Sequence, residues 1–194
     1  MVTVRALTGA ALDAALDDVA RLRIAVFRDW PYLYDGTLEY ERAYLQTYRD
    51  SPGALLVGAF DGDRLVGAST STPMEDHAEA FGAPFAARGL ALTDILYGAE
   101  SVLLPEYRGR GLGHRFFDLR EDHARGLGRH HVAFCSVKRA DDHPARPATF
   151  RTNDAFWQGR GYTILPGVMA AFSWKDVGAA VDTVKPLQFW MRAV

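Results

Sequence analysis

The chain has 194 residues, 48% of them hydrophobic, and a formal charge of −2, so one substantial core in a single domain over residues 1–194 is expected. That near-balance excludes a general field for nucleic acid or anionic lipid, and no apolar run approaches the ~18 residues of a membrane span. A single cysteine, Cys135, rules out an internal disulfide, and with no basic-then-apolar leader at the start a cytoplasmic protein is expected.

Val2 to Leu7 reads as a short strand, and Thr8 can cap a helix whose Leu12, Leu16, Val19, Leu22, Val26 and Phe27 form one apolar stripe. Arg28 to Gly36 is an aromatic loop carrying Pro31. Thr37 then caps a helix with Tyr40, Tyr44 and Tyr48 at helical spacing. Ala54 to Phe60 and Arg64 to Thr72 flank Asp61-Gly62-Asp63 and predict a hairpin. Met74 to Leu92 is either an irregular excursion or one broken helix that could cover a site.

Asp94 to Leu104 predicts the central strand, Gly111 to Leu127 a helix with Leu112, Phe116, Leu119 and Leu127 facing inward, and His130 to Lys138 a further strand. A polar loop, Arg139 to Arg151, leads to a short helix starting at Thr152 or Asn153 and ending near Gly159 or Gly161. Two strands, Tyr162 to Leu165 and Val168 to Trp174, are expected around Pro166-Gly167. The apolar tail Leu187 to Val194 should pair or pack, and is a candidate seam for a homodimer. The order β, α, α, β, β, β, α, β, α, β, β places a central mixed sheet between helices, an α/β (α+β mixed sheet) class.

The run Ser101 to Gly113, SVLLPEYRGRGLG, is a strand, a glycine-rich turn and a helix start in succession. Gly109, Gly111 and Gly113 let backbone amides approach a ligand, and the helix that follows begins with unpaired N–H groups at the positive end of its dipole. Spacing selects the ligand. A Walker loop needs Lys-Ser or Lys-Thr after its last glycine, and a dinucleotide fingerprint starting at Gly109 needs glycine where His114 stands. Arg108, Gly111 and Gly113 instead satisfy Arg/Gln-x-x-Gly-x-Gly/Ala, which resembles the acyl-CoA loop of the GNAT superfamily of N-acetyltransferases. The preceding Pro-Glu-Tyr and the Glu100 to Leu104 strand fit that resemblance, as does the order of elements over residues 2 to 175.

The resemblance implies a GNAT-like acyl-CoA N-acyltransferase fold and acetyl-CoA as cosubstrate, with direct transfer to a small-molecule or peptide amine. Pantetheine would contact the backbone of Val102, Leu103 and Leu104. The pyrophosphate would meet the amides of Arg108, Gly109, Arg110, Gly111, Leu112 and Gly113. Glu100 stands at the strand position where such enzymes often carry the base, ahead of Asp94 and Glu75. The usual acid, a tyrosine in the late helix, falls on Trp157, so Tyr162, Tyr97 or solvent is left to protonate the thiolate. That replacement also leaves open a non-catalytic acyl-CoA sensor on the same fold. Cys135 suits a buried apolar role better than an acyl-enzyme. The six histidines lack metal-ligand spacing, so no metal is expected. Trp30, Tyr32, Tyr34 and Tyr40, mixed with Asp29, Asp35, Glu39 and Glu41, suit a cationic acceptor, although Tyr40, Tyr44 and Tyr48 also fit a core stripe.

Overall fold

A computed structural model describes residues 1–194. The order is β1 (Val2–Leu7), α1 (Gly9–Phe27), α2 (Leu38–Asp50), β2 (Leu55–Asp61), β3 (Arg64–Pro73), α3 (Ala78–Ala86), β4 (Ile95–Leu103), α4 (Leu112–Gly126), β5 (His131–Val137), α5 (Asp154–Gly159), β6 (Thr163–Lys175) and β7 (Asp182–Ala193). One seven-stranded sheet, β1-β2-β3-β4-β5-β7-β6, is antiparallel except where β4 meets β5. No helix is long and apolar enough to cross a membrane.

Because strand side chains alternate between faces, each strand feeds two cores. On one face Leu12, Leu16 and Val19 of α1 and Leu45 and Tyr48 of α2 pack with Val102 of β4. Farther along the same face, Phe81 and Phe85 of α3 meet Tyr97, Ala133 and Phe189. On the other, Leu112 and Phe116 of α4 pack on Val57 and Val66, and Phe156 and Trp157 of α5 lie against Phe117, Phe134 and Trp190.

Several expectations change. Residues 74–92 resolve into a 3-10 turn, Met74–His77, and then α3, which buries Phe81 and Phe85 completely. The two strands expected around Pro166-Gly167 are one, β6, bulged between Ile164 and Met169. Gly167 takes a positive φ of 78° there, and the Gln188 side chain donates to the carbonyls of Leu165 and Val168, bracing the irregularity. Leu127 lies past the end of α4 and is 39% exposed rather than inward. The tail is an inner strand: β7 pairs with β5 on one side and β6 on the other, and Leu187, Phe189 and Trp190 are buried. It therefore has no free apolar edge to offer as a dimer seam.

The course of β4 positions the site. It pairs with β3 along its length, but its parallel pairing with β5 ends after Ile95↔His131, Leu96↔Val132 and Tyr97↔Ala133. From Gly98 onward the edge of β4 that faced β5 has no strand partner. A bulge lies in the same stretch: Ser71 opposes Gly98 and Ser69 opposes Ser101, leaving Ala99 and Glu100 together opposite Thr70. The extra residue breaks the alternation. Tyr97, Ala99 and Glu100 all line one pocket on the α1 side, whereas Gly98 and Ser101 meet Arg120 of α4 on the other.

Candidate active site

The pocket on the α1 face holds about 640 Å³ of empty space, open solvent at its mouth included. Most of its lining is aromatic or aliphatic, and Arg23 and Glu100 supply the charge. Arg23 sits in the apolar stripe of α1, one turn after Val19 and one before Phe27, so the helix buries it with its neighbours. Its Nη1 lies 2.5 Å from Glu100 Oε2, and its Nε donates to Glu41 Oε2 at 2.5 Å. The guanidinium stacks 4.3 Å above the Tyr44 ring.

Burial alone would disfavour the charged guanidinium. Glu100, Tyr44 and Glu41 more than offset it and hold the arginine well above its ordinary range. One cation thus serves two buried carboxylates, and the three side chains together carry −1. Glu100 Oε1, Glu41 Oε1 and the Tyr34 hydroxyl have no hydrogen-bond partner in the protein. Glu41 stood among the carboxylates read beside the aromatic loop; Arg23 was missed by motif reasoning, yet a signal existed. Arg23 interrupts the α1 stripe, and Glu41 lies one turn before Leu45 on the core face of α2.

At the far end of β4, the amide of Arg108 donates to the Pro105 carbonyl and is committed within the chain. The amides of Gly109, Arg110, Gly111, Leu112 and Gly113 donate to no protein acceptor. Gly109 and Gly111 have φ of 74° and 77°, the left-handed region that glycine occupies without strain, and Gly111 opens α4 as its N-cap. The arginine side chains fold back: Arg108 Nε donates to the Leu103 carbonyl at 3.1 Å and Arg110 Nη2 to the Glu106 carbonyl at 2.7 Å. Along β4, the Leu104 N–H donates to the Val66 carbonyl on the β3 side. Antiparallel alternation then turns Val102 toward β3 too, and leaves the main chain of Leu103 and Ser101 facing the open edge. Of the three residues expected to offer backbone to a pantetheine arm, Leu103 is the one so oriented.

The family model described as Acetyltransferase (GNAT) family matches residues 19–149, a span that runs from Arg23 through the glycine loop and past Cys135. The chain belongs to the GNAT acetyltransferase family, and it is an acyltransferase.

Solved structures agree on the fold. The N-acetyltransferase from Staphylococcus aureus Mu50 matches with a TM-score of 0.63 at 10% identity, covering 100% of this chain and 98% of that one. The ribosomal-protein-alanine N-acetyltransferase from Brucella melitensis gives 0.62 at 15% identity over 99% of each chain. The polyamine N-acetyltransferase of Drosophila melanogaster gives 0.62 at 13% identity over 100% of each. At such identities these likenesses speak for architecture alone. A comparison with curated protein sequences found no match.

The remaining candidates of this GNAT acetyltransferase separate by location. Glu75 is held by both terminal nitrogens of Arg129, at 2.8 and 2.9 Å, and Asp94 lies beside His130; neither lines the pocket. Tyr162 is fully buried on the α4 face and donates to Glu121 Oε1 at 3.1 Å. Trp157 packs beside it, its ring centroid 5.0 Å from Phe134 and 5.2 Å from Trp190. Tyr97 lines the pocket at the point where β4 and β5 part, its hydroxyl 3.5 Å from Cys135 Sγ. Burial, reinforced by Cys135, keeps its hydroxyl protonated well beyond the ordinary phenol range. Burial also pushes the Cys135 thiol up to about 12, so it holds little thiolate at neutral pH. The tyrosines of α2 divide: Tyr48 is core, while Tyr44 and the half-exposed Tyr40 line the pocket.

Proposed function

We propose that this GNAT acetyltransferase takes an acetyl group from acetyl-CoA and passes it directly to a primary amine held in the aromatic pocket. The observation that carries the reading is the run of uncommitted amides from Gly109 to Gly113, at the end of the strand whose middle supplies Glu100 to that pocket. Five consecutive donors at a helix N-terminus suit a pyrophosphate. The unpaired edge of β4 beyond Tyr97 suits the pantetheine arm, with Leu103 and Ser101 offering main chain. An arm laid along that edge from the loop reaches the pocket near Ala99, where Tyr97, Glu100 and Cys135 converge.

An ammonium must lose a proton before its nitrogen can attack. Glu100 Oε2 is committed to Arg23, so the proton goes to Oε1, and its arrival brings the Arg23–Glu41–Glu100 cluster from −1 to neutral. The amine lone pair then forms the C–N bond at the thioester carbonyl, the C–S bond breaks, and the second proton on nitrogen passes to the departing thiolate. Tyr97 is the hydroxyl placed to relay that proton, giving its own to the thiolate as it takes the one leaving nitrogen. Direct transfer is favoured over an acyl-cysteine because Cys135 is a buried thiol with little anionic character.

Calorimetric titration with CoA, run beside a thiol-release assay with acetyl-CoA and a panel of primary amines, tests the reading. Binding together with amine-dependent release is expected. Binding with no release on any amine would make the protein a sensor, and failure to bind CoA would remove the reading altogether.

A further inference from the structure

The pocket that this reading assigns to the amine also restricts what else the amine can carry. We infer that the acceptor is a small monoamine with an aromatic or apolar body and no carboxylate, and not an amino acid, a diamine or a peptide terminus flanked by charge. The inference rests on the acetyl-transfer reading for the pocket's role, and on charge and lining for its content.

Eleven of the fourteen lining residues are hydrophobic. The charge is gathered at one end, where Glu100 on the lining binds Arg23 and Glu41, fully buried behind it, binds the same guanidinium; Glu100 Oε1 there has no hydrogen-bond partner. A primary ammonium has three N–H donors and one positive charge. It fits an end that carries −1 and holds an unpartnered carboxylate oxygen, with Tyr40 on the lining nearby.

A carboxylate on the same substrate would meet no free cation. Arg23 has Nε and Nη1 bound to the two glutamates, and its cluster is already negative. Arg139 and Lys185 flank Trp174, but both are bound to Asp176; Lys175 is bound to Asp35. A second ammonium fares no better, since Glu100 is the one carboxylate on the lining and Phe172, Trp174 and Leu187 offer it no partner. Burying an unpaired charge among them is penalised. An aromatic ring gains by filling the same space.

Phenethylamine, phenylalanine and 1,4-diaminobutane separate these classes: the second adds an α-carboxylate to the first, and the third replaces its ring with a charged aminoethyl group. With acetyl-CoA, kcat/KM for phenethylamine is expected to exceed that for either of the others by at least about 100-fold. Equilibrium binding of the three, measured by calorimetry on the CoA-loaded protein, should follow the same order. Phenylalanine or the diamine matching phenethylamine in binding would overturn the inference. Tighter binding of phenethylamine without acetyl transfer would uphold the inference and overturn the transferase reading. Tyr40, 52% exposed at the pocket wall, offers a variant that should fold: Tyr40→Arg supplies the missing cation and is expected to narrow the phenethylamine-to-phenylalanine ratio about 10-fold. An unchanged ratio in that variant would count against the charge argument.

Discussion

Two arginines are buried against opposite faces of β4, and their surroundings are opposite in kind. Arg23, 8% exposed, is bound to two carboxylates and stacked on Tyr44. Arg120, 1% exposed, is bound to no carboxylate: Nη1 donates to Ser69 Oγ at 3.2 Å and Ser101 Oγ at 3.4 Å, the guanidinium stands 4.3 Å over the Phe117 ring, and Nε and Nη2 have no partner. Burial weakens the proton affinity of Arg120, with Tyr162 and Glu121 restoring part of it, while that of Arg23 is strengthened by its acidic neighbours. The bulge at Ala99 and Glu100 creates the difference, because it turns two successive residues of β4 to the Arg23 side. One face is left with excess negative charge and an unpartnered carboxylate oxygen, the setting proposed above for an ammonium and its proton. The other is a closed clamp on the strand.

The largest expected effect lies on the Arg23 face. Glu100→Gln keeps the size and the contact with Arg23 but cannot take a proton, so kcat should fall by about 10²- to 10⁴-fold while CoA affinity holds. Steady-state kinetics with calorimetry reads both, and a kcat within threefold of the parent would dismiss Glu100 as the base. Next comes stability. Arg23→Met strands two buried carboxylates and should cost about 3–5 kcal/mol, whereas Arg120→Met removes an expensive buried charge and should cost at least about 2 kcal/mol less. Urea unfolding of the two variants side by side decides this, and equal losses would erase the distinction between the faces.

The clamp can be probed from the strand side. A Cβ at Gly98 would lie 2.5 Å from Arg120 Nη1 and 2.7 Å from its Cζ, so Gly98→Ala should destabilise by about 1–3 kcal/mol. Paired with Arg120→Met the penalty should largely vanish, and additive losses in that double-mutant cycle would mean the contact does not matter. At the glycine loop, Gly111→Val places a β-branched residue at a φ of 77° and distorts the amide run, so CoA should bind about 10-fold more weakly or worse. Arg108→Ala should do less, since that guanidinium is turned back to the Leu103 carbonyl. Calorimetry on both variants ranks them, and the reverse order would assign the binding to side-chain charge.

The glycine loop was legible in the sequence because the role proposed for it lies in the main chain, and glycine spacing reports main-chain geometry directly. Element order was legible for the same local reason, as the Asp61-Gly62-Asp63 hairpin and the Thr37 cap, whose hydroxyl accepts from the Tyr40 amide, illustrate. The Arg23 cluster was not, since it is assembled from α1, α2 and β4, and no local pattern states that Arg23, Glu41 and Glu100 will meet. Nor could the bulge be read, because it depends on the register of β4 against β3. The tail misled for a related reason: an apolar run says that it will be covered, and only the sheet order says that β5 and β6 cover it.

Amide-resolved NMR titration with CoA addresses the central claim most directly, because it reads each main-chain nitrogen of the loop separately. The largest shifts should fall on Gly109, Arg110, Gly111, Leu112 and Gly113, with Arg108 moving less because its amide is already bonded to Pro105. Saturation with CoA while those five resonances stay in place would contradict the account.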